Sequence, residues 1–206
     1  MKNIGVILAA GNSSRFQSDI PKQLYKIDNK SILDYSIEVM SQCLDEVILV
    51  TNSDCVDKIS NDISIIINNI DSRIESIKCA LDFIGDQSGN IIIHDAARPF
   101  IKISHIQNLL NYSKEFKHCQ YYLPIVNGLA KKSNIGWEIP DREDYIELCT
   151  PQCTDLDLFR YIFKDYILTG KECEILPVMS SLKKEVKLLE GSYRDLRKIT
   201  TLDDIY

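Results

Sequence analysis

Short, almost fully apolar runs alternate with amphipathic stretches along most of the chain. An apolar run bounded by polar residues is typical of a strand buried on both faces of a parallel sheet. Such strands are predicted at Asn3–Leu8, Glu46–Thr51, Ile63–Ile67, Asn90–His94, Cys119–Val126 and Val186–Glu190. Apolar residues at helical spacing predict helices at Ile32–Met40, Arg73–Phe83, Ile103–Tyr112 and Leu156–Phe163. This order predicts an α/β fold with a mostly parallel sheet and helices on both of its faces.

One polar stretch interrupts this alternation. Residues 127–145 contain Trp137 and Pro140, and the pattern predicts short strands that form a small arm protruding from the sheet. An arm of this kind often mediates contact within a dimer, but an ordinary surface hairpin has the same sequence pattern. Trp137 is predicted to be a packing residue rather than a platform for a substrate.

Length and charge narrow the class of protein. The chain has 206 residues, which suits a single α/β domain with a full core, and its formal net charge is −6. An acidic chain without a basic stripe is not expected to bind nucleic acid over a broad surface. The chain has no apolar run long enough to span a bilayer and no signal-peptide pattern at its N-terminus. These features predict a cytoplasmic protein with no membrane partner.

The cysteines give no sign of a metal site or a disulfide framework. There are seven of them, an odd number, and no two form a C-x-x-C pair. Cys149 and Cys153 are close in sequence but have no histidine nearby to complete a zinc site. We therefore expect reduced thiols that pack as small apolar residues.

The first predicted strand leads into a loop suited to phosphate. Ala9, Ala10 and Gly11 allow a backbone to approach a ligand closely, and the polar residues after them direct N–H groups and hydroxyls at an anion. Arg15 and Lys22 add two cations nearby. The loop lacks the Gly-Lys-Ser/Thr end of a P-loop, so a different kind of triphosphate site is predicted.

A second loop is expected to share this site, because the carboxyl ends of parallel strands lie at one edge of the sheet. It follows Asn90–His94 and reads Asp95-Ala96-Ala97-Arg98-Pro99. Asp95 has the carboxylate that Mg²⁺ prefers, and Arg98 is suited either to bracing the loop or to contacting a phosphate. In the plainer interpretation, Asp95 caps the next helix and Arg98 pairs with it.

Several blocks in order resemble one enzyme family. They are Leu8-Ala9-Ala10-Gly11-x-x-x-Arg15, Pro21-Lys22-Gln23, His94-Asp95-Ala96-Ala97-Arg98-Pro99, Thr150-Pro151-Gln152 and Lys198-Ile199-Thr200-Thr201. Together they resemble the cytidylyltransferases that act on polyol phosphates, such as 2-C-methyl-D-erythritol 4-phosphate or D-ribitol 5-phosphate. The resemblance implies a Rossmann-like nucleotidyltransferase sheet and an enzyme that transfers CMP from CTP to the acceptor, releasing pyrophosphate. With the first acceptor it also implies a place in isoprenoid biosynthesis.

The resemblance also implies roles for individual residues. It implies catalytic contacts with the triphosphate for Arg15, Lys22 and Lys198. It implies nucleotide-binding roles for Ala9, Ala10, Gly11, Ser76 and Asp95, with Asp95 also associated with Mg²⁺. It implies acceptor contacts for Arg98, Arg142 and Thr150. Arg142 is expected to act across a homodimer.

The chain departs from the family pattern near the base and the acceptor. Asn69-Ile70 replaces the usual glycine pair before the serine that reads the base, Asn127-Gly128 replaces Asp-Thr, and Cys173-Glu174-Ile175 replaces an acidic block. The sequence therefore leaves open which polyol phosphate is the acceptor and whether the base loop keeps its preference for CTP. A sugar-phosphate nucleotidyltransferase with another base and a non-catalytic nucleotide-binding homologue are the alternatives. The end at Tyr206, where family members continue into a helix, raises the further alternative of one domain of a bifunctional protein.

Overall fold

The strands and helices predicted from the sequence are all present, with small shifts in their bounds. The computed structural model describes residues 1–59, 63–167 and 174–205. Its strands in chain order are β1 (Lys2–Ala9), β2 (Lys26–Ile27), β3 (Lys30–Ser31), β4 (Glu46–Thr51), β5 (Ser64–Ile67), β6 (Gly89–Asp95), β7 (His118–Pro124), β8 (Lys131–Ser133), β9 (Gly136–Glu138), β10 (Ile146–Asp155) and β11 (Lys187–Glu190). Its α-helices are α1 (Ile32–Ser41), α2 (Ser53–Val56), α3 (Arg73–Ile84), α4 (Ile103–Tyr112), α5 (Leu156–Ile162), α6 (Ile175–Ser181) and α7 (Tyr193–Leu196).

A seven-stranded sheet with the order β11-β7-β10-β6-β1-β4-β5 forms the centre of the molecule. Every neighbouring pair is parallel except those that involve β10, which runs antiparallel to both β6 and β7. From β1 the chain builds outward through β4 and β5 on one side and through β6 on the other. This change of direction lies between β1 and β6, where open α/β sheets form a crevice for ligands.

Alternating side chains of the buried strands supply two cores, one on each face of the sheet. In β4, Ile48 and Val50 contact the face covered by α3, α5 and α6, while Val47 and Leu49 contact the face covered by α1 and α4. The prediction of helices on both faces is therefore confirmed. Ser31 begins α1 as expected, because its hydroxyl accepts a hydrogen bond from the Asp34 amide at 3.1 Å.

Strand β10 is the longest of the elements that the sequence pattern does not predict; the others are the β2–β3 pair and the helices α2, α6 and α7. A proline inside a central strand is unusual because it removes a donor from the ladder, yet Pro151 lies within β10. The strand tolerates Pro151 through an irregularity, since its pairing with β7 shifts register between Cys149 and Gln152. Its central residues are buried, because β10 lies between β6 and β7.

The arm is a short hairpin of β8 and β9. Trp137 at its centre is 71% exposed, so it does not pack into the core of its own chain, and its role as a packing residue stays a prediction. The hairpin forms its own two-stranded sheet, and Ile135 and Ile139 on either side of Trp137 are also exposed. A contact between two copies through this arm stays a prediction.

Two other expectations concern the cysteines and the membrane. All the cysteines in the described ranges are free thiols, and those ranges contain no cluster of three or more potential metal ligands of the His, Cys, Asp and Glu types. Cys173 lies outside the described residues. Burial raises the pKa of Cys149 to about 11, which keeps this thiol protonated and unreactive at neutral pH. Across the described parts of the chain, none of the helices is both long and apolar enough to cross a bilayer.

Candidate functional site

A cleft opens at the carboxyl ends of β1 and β6. In the parallel ladder Leu8 is paired with Asp95, and the Ala96 amide donates to the Leu8 carbonyl at 3.0 Å. The loop after β1 and the loop after β6 therefore leave the sheet side by side, as the sequence predicts. The N-terminal turn of α3 and the segment that contains Lys198 and Thr200 complete the walls of the cleft.

The loop after β1 presents unpaired backbone donors. Among the residues that the structure describes, the N–H groups from Ala10 to Arg15 donate no hydrogen bond. Ser13 has φ of 54°, in the left-handed region that non-glycine residues rarely adopt, and the Phe16 amide closes the turn by donating to its carbonyl at 2.8 Å. Successive free N–H groups in such a turn form a concave site for an anion.

Three predicted cations converge on this loop. Arg15, Lys22 and Lys198 all line the cleft, although Lys198 is far from the other two in sequence. The Lys22 ammonium donates to the Ile199 carbonyl at 3.1 Å, which ties the lysine to the C-terminal segment. Burial lowers the pKa of Lys22, and the nearby positive charges of Lys198 and Arg15 lower it further. The cleft therefore holds an excess of positive charge that an anionic ligand would relieve.

Asp95 is the acidic counterpart of these cations. Its carboxylate lies 2.8 Å from the Lys198 ammonium and 3.7 Å from Nε of Arg73, and its backbone amide donates to the Thr150 hydroxyl at 3.0 Å. Burial alone would raise the pKa of Asp95, but the charges of Lys198 and Arg73 outweigh burial and hold this pKa well below its usual range. Asp95 is therefore ionised at neutral pH.

Ser76 lines the cleft from the first turns of α3, and its hydroxyl has partners within the chain. It donates to the Ser72 carbonyl at 3.0 Å and accepts a hydrogen bond from the Asn68 side-chain amide at 2.9 Å. Side-chain hydrogen bonds also hold residues 68–70, the segment in which Asn69-Ile70 replaces the glycine pair. The Asn68 carboxamide oxygen accepts from the Ile70 amide at 3.0 Å. Asn69 accepts from the Ser53 amide at 2.9 Å. Side-chain hydrogen bonds thus hold the segment where glycines are usual.

The predicted acceptor residues are not gathered in the same way. Arg98 is only 5% exposed, and its guanidinium donates to the Leu196 carbonyl and lies 3.7 Å from the Glu147 carboxylate. Arg142 is exposed at the base of the arm, where it donates to the Val126 carbonyl at 3.1 Å. Thr150 accepts a hydrogen bond from the Asp95 amide, and the backbone amide of Arg98 donates to the Asp95 carbonyl at 3.0 Å, but the Arg98 side chain is directed to Leu196 and Glu147. In the described chain Arg98 therefore braces the fold, and the acceptor roles of the two arginines stay predictions.

The structure adds two residues to those predicted. Arg73 faces Asp95 from the start of α3, and Gln23 lies beneath the loop after β1. Both residues lie in or beside segments that the sequence analysis singles out. Arg73 follows the Asn69-Ile70 segment, and Gln23 ends the Pro21-Lys22-Gln23 block. Neither could be given a role, because the partners of both side chains are distant in sequence.

Glu174 lies close to the same charges. Burial raises the pKa of the Glu174 carboxyl. The positive charges of Arg73 and Lys198 lower this pKa, and the negative charge of Asp95 raises it. Of the altered block Cys173-Glu174-Ile175, the cysteine lies outside the described residues.

Comparisons with known proteins identify the family of the chain. Residues 4–206 match the family described as "IspD: 2-C-methyl-D-erythritol 4-phosphate cytidylyltransferase". The chain is 32% identical to a protein of that description from Clostridium botulinum, over 99% of this chain and 94% of the relative. It is 29% identical to one from Clostridium perfringens, over 99% and 96%.

Solved structures share the fold. The 4-diphosphocytidyl-2C-methyl-D-erythritol synthase of Anaerococcus prevotii superposes with a TM-score of 0.82 at 22% identity, covering 99% of this chain and 95% of that one. The bifunctional IspDF of Campylobacter jejuni superposes with a TM-score of 0.81 at 20% identity, covering 99% of this chain and 53% of that one. From the match across nearly its whole length, the chain belongs to the IspD family of cytidylyltransferases and is a nucleotidyltransferase.

Proposed function

We propose that the chain transfers CMP from CTP to 2-C-methyl-D-erythritol 4-phosphate and releases pyrophosphate. The observation that carries this proposal is the convergence of Arg15, Lys22 and Lys198 on a loop with unpaired N–H groups, beside the ionised Asp95. That arrangement suits a triphosphate. The acceptor is inferred from the curated relatives, whose descriptions name 2-C-methyl-D-erythritol 4-phosphate.

The reaction needs no general base from the protein. An ionised oxygen of the acceptor phosphate attacks the α-phosphorus of CTP, a new P–O bond forms, and the bond from that phosphorus to the oxygen bridging to the β-phosphate breaks. Pyrophosphate leaves with that bridging oxygen and its electron pair. Because no proton has to move at the reacting atoms, catalysis consists of alignment and of neutralising the negative charge that grows on the phosphates.

The cleft residues divide this task. Lys22 and Lys198 neutralise charge at the α-phosphate, and Arg15 together with the free N–H groups of its loop binds the outer phosphates. The contact of the Lys22 ammonium with the Ile199 carbonyl supports this division. Because Ile199 directly follows Lys198, the contact holds the Lys22 side chain close to Lys198. Ala9, Ala10 and Gly11 let the nucleotide approach the end of β1, and Ser76 lies on the wall of the cleft formed by α3.

Mg²⁺ fits the residues present. The ion usually binds through one or two carboxylates and substrate phosphates, so an ionised Asp95 at the cleft wall is sufficient on the protein side. Asp95 would hold the ion, which would supply further positive charge to the triphosphate when bound. Lys198 is now paired with the Asp95 carboxylate at 2.8 Å, so nucleotide and ion together would release this lysine toward the phosphate.

The acceptor side completes the proposal. Thr150 and Arg98 would line it from β10 and the loop after β6, and Arg142 would reach the acceptor phosphate of a neighbouring copy from the base of the arm. The exposed Ile135, Trp137 and Ile139 support an arm that is covered in a homodimer. A cytoplasmic location is part of the same proposal.

An acceptor panel tests the function. The purified chain, CTP and Mg²⁺ are incubated with 2-C-methyl-D-erythritol 4-phosphate or with ribitol 5-phosphate, and pyrophosphate and the CDP product are measured. We expect turnover with the first acceptor, and Lys198→Met should abolish it. UTP and GTP run in parallel should be poor donors.

Each other outcome contradicts part of the proposal. A preference for ribitol 5-phosphate would change the acceptor, and a preference for UTP or GTP would indicate a nucleotidyltransferase of another base specificity. CTP binding without turnover on either acceptor would indicate a non-catalytic homologue.

A further inference from the structure

Both polar atoms of the Gln23 side chain form hydrogen bonds with a single loop, the one that follows β1. It is 3% exposed, and its Nε2 donates to the Ala9 carbonyl at 2.5 Å and to the Gly11 carbonyl at 3.0 Å. Its Oε1 accepts from the Ser13 hydroxyl at 3.2 Å. Only an amide nitrogen satisfies two carbonyls at once from one uncharged side chain, so the orientation of the carboxamide is fixed.

These hydrogen bonds determine how the loop faces its surroundings. In a trans peptide the C=O and the N–H of one unit point in opposite directions. Because Gln23 binds the carbonyls of Ala9 and Gly11, the N–H groups of Ala10 and Asn12 point away from it. Neither N–H group has a partner in the described chain, and both residues line the cleft. The side chain beneath the loop therefore sets the direction of two free donors above it.

Gln23 also connects this loop to the neighbouring cation. It follows Lys22 directly in the short turn Lys22–Leu24, so its hydrogen bonds fix that turn against the loop that leads to Arg15. The positive charges of Arg15 and Lys198 act on Lys22 and repel it. An uncharged clamp holds the loop and the lysine together without neutralising the charge that a ligand needs.

We propose that Gln23 is a positioning residue for the triphosphate: it orients the N–H groups of Ala10 and Asn12 and keeps Lys22 in register with them. The inference rests on the proposed function, since it assumes a phosphate ligand in this cleft. Glutamate in its place would lose the donors, and methionine would keep the volume but make none of these hydrogen bonds. In either case two buried carbonyls lose their partners.

Two variants and a matched control test this role. Gln23→Met, Gln23→Glu and Gln120→Met are compared with the unaltered chain for binding of CTP and of inorganic tripolyphosphate by calorimetry, and for steady-state kinetics. Gln120 is likewise buried, at 1% exposed, but its contacts are with His118 and the Cys149 carbonyl, outside the cleft. It controls for the loss of a buried glutamine as such.

We expect Gln23→Met to weaken tripolyphosphate and CTP by about ten- to a hundredfold, as for the loss of two buried hydrogen bonds. KM for the acceptor should change by less than about threefold, and Gln120→Met should bind both ligands as the unaltered chain does. Gln23→Glu should recover affinity, relative to the unaltered chain, as the pH falls and the carboxyl gains a proton that it can donate. A purely structural role would instead weaken the binding of both ligands and of the acceptor together, so the nearly constant KM for the acceptor separates the two roles.

Hydrogen exchange gives a measurement that needs no variant. In the unaltered chain the amides of Ala10 and Asn12 should exchange rapidly and become protected when tripolyphosphate is added. Unchanged exchange, or tight binding by Gln23→Met, would overturn the role of Gln23. If the unaltered chain binds tripolyphosphate but never releases pyrophosphate, the proposed function fails while the role of Gln23 stands.

Discussion

The residues predicted for the nucleotide and those predicted for the acceptor are distributed very differently. Arg15, Lys22, Ser76, Asp95 and Lys198 line one cleft at the edge of the sheet. Of the acceptor residues, Arg98 is buried against the Leu196 carbonyl and Arg142 lies on the arm, while Thr150 supports Asp95 from β10. A single chain thus assembles the nucleotide side but leaves the acceptor side dispersed.

The difference has a physical origin. Most residues predicted for the nucleotide follow the ends of β1 and β6, which are adjacent parallel strands, so the sheet itself brings their loops together; Ser76 from α3 and Lys198 from the C-terminal segment are the exceptions. Of the predicted acceptor residues, Arg98 shares the loop after β6 but is buried away from the cleft, Thr150 comes from the antiparallel strand β10, and Arg142 comes from the turn Arg142–Asp144 that follows the hairpin. A second copy of the chain or a bound acceptor would be needed to bring these residues together. Substitutions of the predicted acceptor residues are therefore the more informative ones.

The largest effect is expected at Lys22. Lys22→Met removes a cation that contacts the reacting phosphates, and we expect kcat/KM for CTP to fall at least about a hundredfold. Lys26→Met is the matched control, because Lys26 is an exposed lysine on the next strand and does not line the cleft. Equal losses in the two variants would mean that net charge, rather than the position of Lys22, matters.

Arg98→Met separates a bracing role from an acceptor role. The change leaves the buried Leu196 carbonyl without its donor, so the free energy of unfolding should fall by about 2 kcal/mol, measured by urea denaturation. Lys102→Met breaks the exposed ion pair with Asp195 and should cost less than about 1 kcal/mol. A stable Arg98→Met variant with a greatly raised KM for the acceptor would instead move Arg98 to the acceptor side.

Arg142→Ala probes the arm. We expect KM for the acceptor to rise about tenfold with KM for CTP unchanged, because the proposal gives Arg142 a charged hydrogen bond to the acceptor phosphate alone. Lys132→Ala, on the neighbouring β8–β9 hairpin, is the control. Mixing Arg142→Ala with Lys198→Met would restore part of the activity if the arginine acts on the neighbouring copy. No recovery on mixing would place its action within its own chain.

The smallest effect is a pH dependence on the nucleotide side. The lowered pKa of Lys22 means that the free protein loses this charge at a pH below the ordinary 10.5. A bound triphosphate stabilises the ammonium, so CTP affinity should decline as the pH rises through the lowered pKa, by at most about tenfold per pH unit. Lys22→Arg keeps its charge and should remove this decline. An identical decline in Lys22→Arg would assign it to another group.

The cleft was largely predictable because its residues follow strands that were themselves predictable. The strands β1 and β6 are nearly continuous apolar runs, and a polar or small residue directly after such a run must lie at the carboxyl edge. Lys198 was a prediction from the resemblance alone, since no nearby pattern indicates where it lies.

The misses have equally local causes. Strand β10 is not predicted, because a proline such as Pro151 normally excludes a central strand. The register shift that accommodates Pro151 arises in the pairing with β7, which the local sequence does not show. The exposure of Trp137 could not be predicted, because an aromatic residue alone does not show whether its hairpin packs on the body of its own chain. Gln23 had no predicted role, since its partners Ala9, Gly11 and Ser13 belong to a different loop.

The amino-acid pattern alone predicts the alternation of most strands and helices, the edge of the sheet that carries the cleft, and the charge and size of the residues there. Those properties depend on local spacing and side-chain chemistry. Folding brings together the partners that sequence spacing does not show: Lys198 pairs with Asp95, Arg73 faces the same carboxylate, Arg98 donates to a backbone carbonyl, and Gln23 holds the loop after β1. Such pairings join segments far apart in the chain, so only the packing of helices on both faces of the sheet fixes their distances.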